Sequence, residues 1–379
     1  MARFTSIIFV LVNCMPFEIA AQGRCSTAGL AGLEECKCNF FGACDVRGIA
    51  KPGLNISDYS PNGLEAYVHV KGFFGQNLAF LCEGEGKDVA ILYDCNNRIP
   101  LYAATVITGS KLSVRHDKGR RKGAEGKFRP STKLDISFQQ NENDYFKAAN
   151  RELKIHLKRK RTYGDMDDVV PDDDWLKSKN APVSSPKRFT IAMHRGHLIA
   201  SMFGIGDFEK KKQTFVYTNA VPQFGDFNSV PWRTCEQRLI TWGRLNCINA
   251  GTKSEGRNVQ MFIVVGAIPS TIDKDPKKWR FFGSGGFSIL QDDTSFRVNV
   301  PLAMWTAACC TYDYTKDKSS FSATQSTAFW RENKPGKEEC KRIDVNALEV
   351  KLTWWGGAQV NLFPSSTNCR NSTNYVPLP

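Results

Sequence analysis

Short runs rich in β-branched and aromatic residues recur along the chain, separated by turn formers. Val89–Tyr93, Leu101–Ile107, Leu134–Phe138 and Phe189–Met193 lie in the first half, and Thr214–Tyr217, Val259–Val265, Phe296–Val300 and Val350–Trp355 in the second. Their length and composition predict strands. Helical periodicity is rarer and is clearest in Asn143–Leu153 and Pro231–Leu245. In the second of these, Trp232, Cys235, Leu239, Trp242 and Leu245 recur at spacings of three and four, which predicts one buried stripe. Residues 51–63 collect Pro52, Gly53, Asn55, Pro61, Asn62 and Gly63, a density of turn formers that reads as a linker. Together the patterns predict a mixed α+β domain from about residue 75 to the C-terminus.

The first residues follow a different pattern. Arg3 precedes the apolar run Ile7-Ile8-Phe9-Val10-Leu11-Val12, and the small residues Ala20-Ala21 and Gly23 follow. This is the layout of a secretory signal over residues 1–21, and the run is too short to span a bilayer. No interior apolar run of about 18 residues exists, so no helical membrane span is expected. Of 13 cysteines, Cys14 would leave with the signal and 12 would remain, enough for as many as six disulfides in an oxidising compartment. Cys25, Cys36, Cys38 and Cys44 crowd together without a nearby histidine, which favours a disulfide-stapled module over a metal knuckle. Residues 22–74 are therefore assigned to a Cys-rich module and linker, and 75–379 to one large domain. The adjacent Cys309 and Cys310 are expected to take different partners. The sequons at Asn55 and Asn371 fit a secreted glycoprotein.

Composition then narrows the picture. With 51 Lys+Arg against 38 Asp+Glu, the 379-residue chain carries a formal charge of +13, and it is 41% hydrophobic. That describes a folded protein suited to a polyanionic partner, although excess cations also serve solubility. The basic residues come in blocks. Lys111, Arg115, Lys118, Arg120, Arg121, Lys122, Lys127 and Arg129 form one; Arg151, Lys154, Lys158, Arg159, Lys160 and Arg161 form another. They read either as solvated loops or as surfaces that neutralise phosphates. The acidic stretch from Asp165 to Asp174 lacks the Gly and distal Glu of a calcium loop.

Only five histidines are present, and two bracket an Arg-Gly pair in Met193-His194-Arg195-Gly196-His197-Leu198. They directly follow the strand-like Phe189–Met193, where glycine lets the backbone turn sharply, arginine offers a charged fork for phosphate, and histidine can take a proton from water. No HExxH zinc motif is present. His194 and His197 together could also ligate a metal. Further on stand Asn219-Ala220-Val221-Pro222-Gln223 and then Asn228, with Glu236 eight residues later. Eight residues advance a helix by about 80° beyond two full turns, so Asn228 and Glu236 can face one cleft. Amide and carboxylate oxygens suit Mg²⁺. Equally, Asn228 could be a helix cap and Glu236 a surface residue.

Taken together, these residues resemble the DNA/RNA non-specific endonuclease family, the ββα-metal (His-Me finger) nucleases. The family signature Asp-Arg-Gly-His, Asn-x-x-Pro-Gln, and Asn followed by a helical Glu stands here as His194-Arg195-Gly196-His197, Asn219–Gln223, and Asn228 with Glu236. Ile91–Asp94, Arg98–Tyr102, Val300-Pro301 with Trp305, and Phe329–Asn333 resemble flanking elements of the secreted animal branch, including the endonuclease-domain-containing and duplex-specific nucleases. The likeness spans roughly residues 75–360. One departure is plain: His194 stands where the usual residue is Asp.

The resemblance implies a mixed antiparallel sheet core with a ββα-metal finger, preceded by the small disulfide-rich module. It implies a secreted, sugar-non-specific, Mg²⁺-dependent endonuclease (Mn²⁺ substituting) that hydrolyses DNA, RNA or both to 5′-phosphate ends. His197 would be the general base and Asn228 the direct metal ligand. Glu236 would hold metal-bound waters, and Asn219 would orient the base and phosphate. Arg195 would stabilise the transition state, with Arg129 in Lys127-Phe128-Arg129-Pro130 as a further phosphate-binding arginine. The alternative is a catalytically silent nucleic-acid- or heparin-binding protein on the same scaffold. A cysteine hydrolase lacks support, given the even cysteine count and the missing Cys/His signature.

Overall fold

Period-two alternation builds the core. In the computed structural model, which describes residues 36, 78–114, 127–141, 193–224, 227–248, 259–269, 288–290, 296–311, 326–334, 339–356, 360, 362–363 and 369, seven strands form one antiparallel sheet. They are β1 (Leu78–Glu83), β2 (Val89–Asp94), β3 (Ile99–Thr108), β6 (Gln260–Ile268), β9 (Ala303–Thr311), β10 (Ser326–Glu332) and β11 (Lys341–Ile343), hydrogen-bonded in that order. Two hairpins stand apart from it: β4 (Met193–His197) with β5 (Ala220–Phe224), and β7 (Ser288–Leu290) with β8 (Phe296–Asn299).

Both faces of the sheet are buried, so its central strands read as nearly continuous apolar runs rather than as alternating ones. Ile91 and Tyr93 of β2 join Met261, Ile263 and Val265 of β6 in one core. Leu92 of β2 joins Phe262 and Val264 of β6 in the other. Helix α1 (Phe208–Gln213) begins at Asp207, whose carboxylate accepts the Lys210 N–H. Helix α2 (Arg233–Gly243) brings Leu239 and Trp242 into the first core, with Trp232 just ahead of it. Helix α3 (Val345–Gly356) brings Val345, Leu348 and Leu352 into the second. The result is a helix–sheet–helix α+β architecture, with the β4–β5 hairpin and α2 in sequence on one side.

Disulfides tie distant segments to this frame. Cys36–Cys82 secures an N-terminal residue to β1, Cys235–Cys340 and Cys247–Cys310 fasten both ends of the α2 region, and Cys309–Cys369 holds the C-terminal segment. Adjacent Cys309 and Cys310 thus take separate partners, as expected. Among the described residues, no helix is long and apolar enough to cross a membrane. The signal, the 22–74 module apart from Cys36, the Asn143–Leu153 helix, both sequons and most of both basic blocks lie outside the described residues.

Three predicted strands are corrected. Val350–Trp355 is part of helix α3. Asp344 caps it through the Ala347 N–H, and Val345, Leu348, Glu349 and Leu352 are buried at helical spacing while Val350 is exposed. Its β-branched and aromatic residues carry strand propensity, but tertiary burial at a period of 3.6 overrides it. Leu134–Phe138 instead contains a single tight turn, Ile136–Phe138, because the Asp135 carboxylate accepts the Ser137 N–H and favours a cap over a ladder. Thr214–Tyr217 contributes only an isolated bridge, Val216 to Arg129. The apolar stripe of Pro231–Leu245 also ends early. Leu245 is 44% exposed, because the helix widens into a π turn over Arg244–Ile248 and Cys247 takes the inward position.

Candidate active site

Met193–His197 is itself strand β4, not the turn after a strand. It pairs antiparallel with β5 so that His194 faces Gln223, Arg195 faces Pro222, Gly196 faces Val221 and His197 faces Ala220. The chain then passes through Phe227 into a π turn, Asn228–Trp232, that leads directly into α2. Gly196 leaves room for the side-chain amide of Gln223, which a Cβ there would overlap. Asn219, immediately before β5, is fully buried. Its Oδ1 accepts the Ile199 N–H at 2.9 Å, and its Nδ2 donates to the carbonyls of Ile199 at 3.0 Å and Thr214 at 2.9 Å. The amide therefore pins the backbone two residues beyond His197, with both of its N–H donors engaged.

Contacts on the two sides of β4 differ. On one, the His197 ring lies 4.7 Å from the Phe128 ring and 4.5 Å, nearly perpendicular, from Phe215. Arg195 holds its guanidinium 5.5 Å from the centroid of the same Phe128 ring. The Nε2 of His197 is buried without a hydrogen-bond partner. Burial, reinforced by the positive charge of Arg195, pushes the His197 imidazole down to about 3 from 6.5, so the ring is neutral at physiological pH. Arg129 is exposed beside Phe128, on a backbone segment held by Arg129 N–H to Phe215 O and Tyr217 N–H to Arg129 O.

On the other side, the Asn228 amide nitrogen lies 3.4 Å from His194 Nδ1. Asn228 is thus not the helix cap that one reading allowed: its amide is directed at a ring nitrogen rather than at the first backbone N–H groups. Gln223, the register partner of His194, is fully buried, and neither its Oε1 nor its Nε2 has a partner. Such orphaned amide atoms are costly unless a ligand or ordered water completes them. Glu236 is buried in α2 rather than on the surface, and burial pushes its carboxyl up to about 8, against the opposing pull of Arg233. An amide oxygen and a carboxyl group are hard donors of the kind that suit a divalent ion with water in its shell. Among the described residues, no group of three or more His, Cys, Asp or Glu could hold a metal.

The fold thus brings Arg195 and His197 together around Phe128, and Asn228 together with His194. No direct hydrogen bond joins His197 to Asn228 or Asn228 to Glu236. Phe128 was not among the residues singled out from sequence. The signal available for it was an aromatic residue between the cations Lys127 and Arg129, but its contact with His197 depends on a bridge between segments far apart in the chain.

Residues 82–355, which contain all of these groups, match a family model described as DNA/RNA non-specific endonuclease. A comparison with curated proteins returns no match. Among solved structures, the chain is similar to one titled "Crystal structure of the EndoG/EndoGI complex: Mechanism of EndoG inhibition". Sequence identity is 13%, the match covers 81% of this chain and 94% of that one, and the TM-score is 0.45.

Proposed function

This chain belongs to the DNA/RNA non-specific endonuclease family, and we propose that it is a secreted, divalent-metal-dependent endonuclease that cuts the phosphodiester bonds of DNA, RNA or both. The observation that supports this most is the continuous run of β4, β5 and the Asn228-led helix. It presents a neutral histidine, an arginine and an amide ligand from one short stretch of chain.

In this reading His197 takes the proton of the attacking water at Nε2. Its neutrality leaves that nitrogen able to accept; burial is the larger cause of its lowered basicity, and a phosphodiester bound against Arg195 would offset the smaller one, the guanidinium charge. Arg195 then stabilises the charge that builds on the pentavalent transition state, and Arg129 grips a neighbouring phosphate. Asn219 contributes by positioning: its three hydrogen bonds hold the strand end that carries His197. Asn228 would hold the cation, Mg²⁺ with Mn²⁺ able to replace it, and Glu236 would hold its waters. When bound, the ion supplies Lewis-acid stabilisation of the leaving 3′ oxygen, so that products carry 5′-phosphates. Contacts confined to backbone phosphates account for cleavage without sequence preference.

The test is incubation of the secreted protein with plasmid and with RNA in Mg²⁺, alongside His197→Ala and an EDTA control. Wild type is expected to cut at least about 10²–10⁴-fold faster than the variant. Equal rates would sink the assignment. A second reading, a silent nucleic-acid- or heparin-binding protein, draws on the covered Nε2 of His197 and on the +13 charge. It predicts that plasmid is retained uncut.

A further inference from the structure

We propose that His194 is a second protein ligand, through Nδ1, to the same divalent cation that Asn228 holds, which makes the centre a mixed nitrogen–oxygen site that prefers Mn²⁺ or a similar borderline ion to Mg²⁺. This rests on the reading of Asn228 as a metal ligand and goes beyond it in naming a further ligand and the ion it selects.

Three observations carry the assignment. First, the Asn228 amide and His194 Nδ1 are 3.4 Å apart. Two adjacent ligands of an octahedral ion with bonds of about 2.1–2.2 Å stand about 3 Å from each other, close to this separation. Rotation of the Asn228 amide by half a turn about Cβ–Cγ would bring Oδ1 in place of Nδ2 beside the imidazole nitrogen. Second, His194 is not occupied with the chemistry assigned to His197. The neighbouring residues Arg195 and His197 project to the Phe128 side of β4, while His194 meets Asn228. Third, the register partner of His194 is Gln223, whose buried amide has both polar atoms unpartnered. Orphaned buried amide atoms beside the strand that carries His194 are polar groups that bound water can satisfy.

The choice of ion follows from ligand chemistry. Carboxylate, carbonyl and water suit Mg²⁺, whereas an imidazole nitrogen strengthens binding along the series from Mn²⁺ toward later transition metals. Neither Asn nor neutral His brings negative charge, so the ion keeps its full charge for the phosphate. A carboxylate at position 194 would shift the balance back toward Mg²⁺.

The experiment uses the full mature chain labelled with ¹⁵N-histidine, loaded with Mn²⁺ and read by pulsed electron paramagnetic resonance, with Mn²⁺ and Mg²⁺ affinities measured by calorimetry. An imidazole nitrogen coupling is expected in wild type and in His197→Ala, and its loss in His194→Asp. His194→Asp should also narrow the preference for Mn²⁺ over Mg²⁺ by about tenfold or more. Binding that Asn228→Ala abolishes, with no histidine coupling in wild type, overturns this proposal and leaves the proposed function standing. A coupling that disappears in His197→Ala but survives in His194→Asp also overturns it. If Mn²⁺ fails to bind, or binds equally to Asn228→Ala, the reading of the site as a metal centre fails with it. A wild-type spectrum without histidine coupling overturns the proposal even where a variant does not fold.

Discussion

Phe128 packs against His197 with ring centroids 4.7 Å apart, and its ring also sits under the Arg195 guanidinium. Phe128 therefore shares with Phe215 the covering of the proposed base and also meets the charge beside it. Truncating it should wet Nε2. In Phe128→Ala the His197 imidazole is expected to titrate well above about 3, moving toward the ordinary 6.5, as followed by histidine NMR. Arg195→Gln should move it upward by less, because burial is the larger cause. A titration that stays below pH 4 in Phe128→Ala would show that Phe128 does not set the burial.

The same depressed value fixes the direction of an acid effect on stability. As pH falls below 6.5 the unfolded chain protonates His197, while the folded ring stays neutral until about 3. Over that window the unfolded state holds the extra proton, so this group lowers stability as pH falls, by at most about 1.4 kcal/mol per pH unit. Urea unfolding at pH 7 and pH 4.5 should show a smaller acid loss in His197→Gln than in wild type. Parallel losses would count against the buried, neutral ring.

Asn219→Ala removes a buried amide that makes three hydrogen bonds and leaves the Ile199 N–H without its acceptor. A loss of about 2–4 kcal/mol in unfolding free energy is expected. Because the side chain positions the strand end rather than touching substrate, kcat should fall while KM changes little. A KM-only effect would instead place this amide on the substrate.

Gly196→Ala places a methyl group into the Gln223 amide, which is buried and cannot swing into solvent. Thermal stability and activity should both drop. Adding Gln223→Ala should recover much of the melting temperature, and failure to do so would point to a backbone cause instead.

Refolding from the reduced chain should return activity only after reoxidation. Cys235–Cys340 and Cys247–Cys310 close spans of 105 and 63 residues and hold the two ends of the site helix. Each such bridge stabilises by about 2–5 kcal/mol. Cys235→Ser with Cys340→Ser is expected to lower the melting temperature and weaken metal binding, whereas full activity in that pair would show that the helix needs no tether.

What the sequence disclosed follows from how local each cause is. The strands of the central sheet are apolar on both faces, so composition alone marks Val89–Tyr93 and Val259–Val265. Helix α3 was misread because Val350, Thr353 and Trp354 have strand propensity while the deciding fact, burial of Val345, Leu348 and Leu352 against the far face of the sheet, is tertiary. The site shows the same division. His194 to His197 and Asn219 to Gln223 are contiguous segments, and their pairing in β4 and β5 is the simplest arrangement of two nearby strands. Phe128 reaches His197 from about 70 residues away, and the 3.4 Å approach of Asn228 to His194 depends on the π turn that opens the site helix. No periodicity encodes either contact.

The two bridges on α2 also give the assembly of the site an order. All four of their cysteines are buried in the finished fold, and their partners come from late in the chain. The helix bearing Asn228 and Glu236 is secured only when synthesis has passed Cys340 and oxidation has followed. The candidate site is therefore completed by segments made well after the helix itself.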